Sequence, residues 1–197
     1  MNSIDKRMFE IPDAEIIYYP DFLASSIADT YFDNFLNELE WAQFDIKIFG
    51  KKIPQPRLTA LYAINGQSYS YSNLILHPHP YTPELETLQT KIEEITDTKF
   101  THCLANLYRN GNDSMGWHAD NEKELGTNPL IASLSLGVPR KFQLKHKEQK
   151  DKKLEIFLEH GSLLIMKGET QHFWKHQLPK SKKIEIPRIN LTFRTIL

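Results

Sequence analysis

From about residue 100 onward the chain is cut into short runs of strand-forming residues, and this punctuation narrows the possible folds more than any other feature. Candidate strands fall at 104–108, 131–136, 141–144, 154–158, 162–166, 173–177 and 189–196, each bounded by polar or turn-like residues. Among them Leu163-Leu164-Ile165-Met166 is continuously apolar, as suits a strand in the middle of a sheet. Many short, evenly spaced strands predict a sandwich or jelly-roll barrel. The stretch 145–153 is nearly all charged and reads as a solvated hairpin loop.

The first hundred residues follow another rhythm. Phe22, Leu23, Ile27, Tyr31, Phe35, Leu36 and Leu39 recur at spacings of three and four, which predicts a helix from about Ser25 to Trp41. Thr82-Pro83-Glu84 offers an N-cap, a proline at the first helical position and an acid in the first turn. Leu85, Leu88, Ile92 and Ile95 then form the buried stripe of a second helix. The expected class is therefore mainly β with flanking α, the helices packed outside the strands. Region 44–71 can carry a further hairpin turning at Phe49-Gly50-Lys51-Lys52.

Size and charge exclude some functions. A chain of 197 residues fits one domain, and a net charge of -1 gives no global attraction to nucleic acid. The single cysteine, Cys103, allows no intramolecular disulfide and suits a reducing compartment. No apolar leader and no stretch of transmembrane length are visible. The expectation is a soluble intracellular protein with no membrane partner, cytoplasmic, or nuclear if the source is eukaryotic.

Three patterns carry chemistry. His118 and Asp120, two apart on an extended segment, face the same side and can reach one metal ion. A second histidine would complete a two-histidine, one-carboxylate face and leave the opposite face of an iron open. His172 and His176 share a face if their segment is a strand, so spacing does not choose between them, while His160 before Gly161 looks like a turn residue. On the terminal strand Arg188, Asn190, Thr192 and Arg194 share one face and Ile189, Leu191 and Phe193 the other. Two guanidinium groups there suit a dicarboxylate, the alternative being the basic side of an edge strand. Asn106 and Tyr108 add hydrogen-bonding side chains to one face of their own strand.

The stretches PRLTALY (56–62), SYSYSNL (68–74), NLYRNGNDSMGWHADNE (106–122), IASLSLG (131–137), HGSLLIM (160–166), HFWKHQLP (172–179) and PRINLTFR (187–194) lie in one order. With them the sequence resembles the AlkB family of Fe(II)/2-oxoglutarate-dependent nucleic-acid dealkylases, the animal repair homologues in particular. The resemblance implies a double-stranded β-helix (jelly-roll) core over 101–197. It assigns 1–100 to N-terminal helices and a nucleotide-recognition lid at 44–74, all within one integrated domain.

The same resemblance selects His176, through His176-Gln177-Leu178-Pro179, as the third Fe(II) ligand beside His118 and Asp120. It assigns Asn106, Tyr108, Arg188, Asn190, Thr192 and Arg194 to 2-oxoglutarate, with O2 as the second cosubstrate and Arg188 on the distal carboxylate. A flipped base would lie between His118 and Tyr71, with Tyr69, Ser70, Asn121 and Glu122 around it. Phe49 would be a finger filling the gap in a duplex, beside Lys51 and Lys52. Arg57, Arg109 and the lysines of 145–153 could touch phosphates. The implied partner is methylated DNA carrying 1-methyladenine or 3-methylcytosine, with RNA open, and the implied state is a monomer. The alternatives are the same oxygenase chemistry on a protein or small molecule, and a binding module without catalysis.

Overall fold

The computed structural model describes residues 5–48, 51–71 and 74–197. Strands β1 (Arg7–Phe9) and β2 (Glu15–Tyr19) precede helix α1 (Ser25–Glu38). Four short strands and one longer strand follow: β3 (Asp45–Ile48), β4 (Lys51–Pro54), β5 (Leu58–Ala63), β6 (Tyr69–Tyr71) and β7 (Leu74–Leu76). Helix α2 (Pro83–Thr96) leads into β8 (His102–Tyr108), β9 (Met115–His118), β10 (Ile131–Gly137), β11 (Arg140–His146) and β12 (Lys153–Leu158). The chain closes with β13 (Ser162–Lys167), a single helical turn α3 (Thr170–Phe173), β14 (Trp174–Leu178) and β15 (Arg188–Arg194).

Two antiparallel sheets face each other. The larger runs β1-β2-β13-β10-β15-β8-β5 and the smaller β12-β11-β14-β9, with β3-β4 and β6-β7 as separate hairpins. The larger sheet takes β1, β2 and β5 from before residue 100, so both halves of the chain build it. The period of two in β15 determines its packing. Ile189, Leu191 and Phe193 enter an apolar cluster with Phe35 of α1 and Leu85, Leu88 and Ile92 of α2. The opposite face looks across to the smaller sheet, where Leu104, Leu144, Leu164 and Met166 form a second cluster.

Both expected helices form. Thr82 caps α2, its Oγ1 accepting the Leu85 N–H at 3.3 Å, and Asp97 ends the helix in the left-handed region at φ 50°. Helix α1 stops at Glu38, three residues before the expected end, and Trp41 instead donates its ring N–H to the Phe35 carbonyl at 3.1 Å.

The charged stretch 145–153 is only partly a loop. Strand β11 runs on to His146, which is buried because its Nδ1 accepts the Glu148 and Gln149 N–H groups at 3.1 and 2.9 Å. The other ring nitrogen of His146 meets Asp13 at 3.1 Å. The hairpin expected at 44–71 is present as β3 paired with β4, but Lys51 and Lys52 belong to the strand, opposite Ile48 and Lys47. Phe49 and Gly50 lie outside the described residues. Among the described residues no helix is long and apolar enough to cross a membrane.

Candidate metal and cosubstrate site

Strands β9 and β14 pair so that His118 and His176 are direct partners. Their rings stand edge to face with centroids 4.2 Å apart. Asp120 follows β9 and turns between them, one carboxylate oxygen 4.0 Å from His118 Nε2 and the other 3.7 Å from His176 Nε2. The three donor groups lie within 4.8 Å of one another.

Protonation favours ligation. The Gly116 carbonyl, 2.8 Å from His118 Nδ1, can only accept, so Nδ1 carries the hydrogen and Nε2 keeps its lone pair. Burial pushes the His118 pKa down and that of His176 down to about 3. Burial alone would raise the Asp120 pKa, but the Arg194 guanidinium 3.6 Å away, helped by the two histidines, holds it below the usual carboxylate range. Two neutral imidazoles and one carboxylate on a single side suit Fe(II).

The inner face of β15 lines the same cavity, which encloses about 580 Å³, part of it open to solvent. Arg188 donates through Nη2 to Ser135 Oγ at 2.8 Å and lies beneath the Tyr108 ring, 5.4 Å from its centroid. Its buried Nε has no partner. Burial lowers its pKa to about 10, so it stays charged at neutral pH. Arg194 donates to the Tyr69 hydroxyl at 2.9 Å and faces Asp120, and its Nε is also unpartnered. A buried guanidinium with an uncommitted N–H calls for an anion, and a dicarboxylate reaching from the metal to Arg188 fits that need. Asn190 donates through Nδ2 to Ser133 Oγ at 2.8 Å and to the Leu134 carbonyl at 3.1 Å, and its Oδ1 accepts from Thr192 Oγ1 at 3.5 Å. Asn106 and Tyr108, on β8, complete the expected cosubstrate set around this cavity.

Other expected positions vary. His172 does not share a strand face with His176; it sits exposed on α3, where a helical turn breaks the alternation. His160 accepts the Gly137 N–H at 2.8 Å through Nδ1, as a turn residue would. Arg57, expected at phosphates, is instead buried, donating to Asn106 Oδ1 at 2.8 Å within the cavity wall. Arg109 is committed to Asp113 through two side-chain bonds of 2.8 and 3.0 Å.

Behind Arg194, Tyr69 is fully buried and hydrogen-bonded to Glu122 as well as to Arg194. Glu122 is half-buried, and burial followed by the neighbouring Asp120 charge raises its pKa. Asn121 and Lys51 are exposed. Ser70 and Tyr71 belong to β6, but their side chains lie outside the described part of the structure, as does Phe49. No local pattern marks Arg57, Ser133, Ser135 or Gln171 as part of this site, because each works through a partner far along the chain.

Two facing antiparallel sheets with a His-Asp-His centre between them define a metal-dependent oxygenase of the double-stranded β-helix class. The sequence pattern of the 2OG-Fe(II) oxygenase superfamily matches residues 15–194. The human alpha-ketoglutarate-dependent dioxygenase alkB homolog 3 is 39% identical over 192 residues, covering 93% of this chain and 66% of its own length. The human DNA oxidative demethylase ALKBH2 is 37% identical over 189 residues, covering 91% and 72%. The solved structure of OsALKBH1 superposes with a TM-score of 0.67 at 17% identity, over 95% of this chain and 98% of that one, which supports the fold. The chain thus spans about two thirds of the length of the alkB homolog 3 proteins. It belongs to the 2OG-Fe(II) oxygenase superfamily and, within it, to the AlkB homologues. The metal of this family is Fe(II) and its cosubstrate 2-oxoglutarate, and His118, Asp120 and His176 are the triad placed to hold that metal.

Proposed function

We propose that this chain oxidatively demethylates N-alkylated bases such as 1-methyladenine and 3-methylcytosine in DNA, with RNA as a second substrate. One observation carries the reading. The triad shares its cavity with two buried arginines whose Nε groups are uncommitted, and one of them, Arg194, is backed by Tyr69 with Glu122 beside it. Fe(II) with 2-oxoglutarate and O2 supplies the oxidation, giving succinate, carbon dioxide and a hydroxymethyl base that releases formaldehyde.

The chain's own residues bind and orient. Arg188 pairs with the distal carboxylate, while Asn106, Tyr108, Asn190 and Thr192 shape the cosubstrate's bed. Arg194 holds Asp120 ionised and buttresses Tyr69. The flipped base lies between His118 and Tyr71, with Tyr69 and Ser70 beside it. Glu122, with Asn121 next to it, offers an acceptor to the cationic methylated base. Phe49, with Lys51 behind it, fills the vacated stack in duplex. Residues 44–74 form the substrate lid, and the enzyme acts as an intracellular monomer. Support for a nucleic-acid substrate comes from relatives that carry the description DNA oxidative demethylase at 37–38% identity.

The experiment is a side-by-side assay of methylated single-stranded DNA, duplex DNA and RNA with Fe(II), omitting 2-oxoglutarate as control. Succinate formed only with methylated strands is expected. Succinate formed equally with unmethylated strands would contradict the reading.

A further inference from the structure

Strand pairing fixes the two histidines but not the carboxylate. His118 and His176 are register partners, whereas β9 ends at His118 and Asp120 follows in irregular chain. A ligand on unpaired backbone needs another restraint, and Gln171 supplies one. Gln171 is fully buried on α3, and its Oε1 accepts the Asp120 N–H at 2.9 Å. Its Nε2 points to Met166 Sδ at 3.7 Å, and its carbonyl accepts from Lys147 Nζ at 2.9 Å. Because the Asp120 N–H can only donate, it selects the amide oxygen and sets the orientation of the side chain. Helix α3 runs directly into β14, so one side chain ties the segment bearing His176 to the segment bearing Asp120.

We propose that Gln171 is a positioning residue for the iron centre. It fixes the Asp120 backbone so that the carboxylate oxygens stay 4.0 and 3.7 Å from the Nε2 atoms of His118 and His176. It touches neither metal nor substrate; it acts through the ligand. Without it a buried N–H loses its acceptor and the 119–122 segment loses a long-range tie to the smaller sheet.

The test titrates the metal-free protein with Mn(II), a redox-stable stand-in for Fe(II), by calorimetry, beside thermal melts without metal. Gln171→Leu removes the acceptor at similar volume, and its Mn(II) affinity is expected to fall about 10–100-fold. Gln171→Glu keeps an acceptor oxygen and is expected to recover most of that loss. Should Gln171→Leu fail to fold, Gln171→Asn, which withdraws the amide by one methylene, carries the same expectation. A Leu or Asn variant that melts lower yet binds Mn(II) like the wild type would make Gln171 a packing residue and overturn the inference. A Glu variant as weak as the Leu variant would overturn it too. Failure of the wild type to bind Mn(II) would instead remove the metal centre on which the inference rests.

Discussion

On β15 the side chains that alternate outward, Ile189, Leu191 and Phe193, are buried against α1 and α2, while Arg188, Asn190, Thr192 and Arg194 turn inward onto the metal cavity. Arg188 and Arg194 are nearly as buried as the apolar side chains opposite, yet one face contains only hydrocarbon and the other two guanidinium groups. Outward burial stabilises the fold through removal of apolar surface from water. Inward burial opposes stability wherever a polar atom lacks a partner, as Arg188 Nε and Arg194 Nε do. The difference teaches that the fold's stability rests on the helix side, while the cavity side is held ready for an anion. Binding of that anion adds stability by mass action.

The largest effect expected is on turnover. His118→Ala or Asp120→Ala removes one of three ligands, and demethylation should be abolished while far-ultraviolet circular dichroism stays native. Wild-type turnover by either variant would break the assignment of the cavity side.

The two faces of β15 can then be set against each other. Leu191→Ala should cost about 2–5 kcal/mol in denaturant unfolding and leave 2-oxoglutarate affinity unchanged. Arg188→Leu should do the reverse, weakening 2-oxoglutarate about 10–100-fold, from the loss of a charge-assisted bond of about 1.5–3 kcal/mol. If Arg188→Leu also unfolded the protein, the division between the faces would fail.

A smaller effect tests the lid. Phe49→Ala should reduce activity on duplex more than on single strands, and equal losses on both would remove its role as a finger.

The smallest effect concerns the loop that leads into β9. Burial would raise the Asp113 pKa, but the Arg109 hydrogen bonds outweigh it and hold the carboxyl below its ordinary 3.8. A depressed carboxylate contributes stability above the unfolded-state pKa and loses it as pH falls through the lower, folded one. Asp113→Asn should therefore cost about 1 kcal/mol at pH 7, a modest figure because Arg109 is 44% exposed. The gap between variant and wild type should narrow as pH drops below 3.8. A gap constant with pH would mean that packing, and not charge, sets the role of Asp113.

Much of this division was legible in the sequence. The alternation of β15 separates its two faces in the sequence itself, whereas the two-residue step from His118 to Asp120 is a weak signal that fits a polar loop equally and points to a metal only together with the family motifs. The choice between His172 and His176 was not legible from spacing, because the helical turn α3 interrupts the strand that a period of two assumed. Arg57 looked like a surface cation; only the pairing of β5 with β8 brings it to Asn106. His146 looked solvated among lysines, and its burial depends on local backbone donors and on Asp13, 133 residues away. Long-range partners decide such polar residues, and neither composition nor periodicity records them.

The most direct test of the central claim is to measure formaldehyde and succinate together from a single-stranded oligonucleotide bearing 1-methyladenine, with the wild type and with Asp120→Ala. Equimolar formaldehyde and succinate from the wild type, and neither from Asp120→Ala, is the predicted result. Succinate without formaldehyde from the wild type, or undiminished formaldehyde from Asp120→Ala, would contradict it.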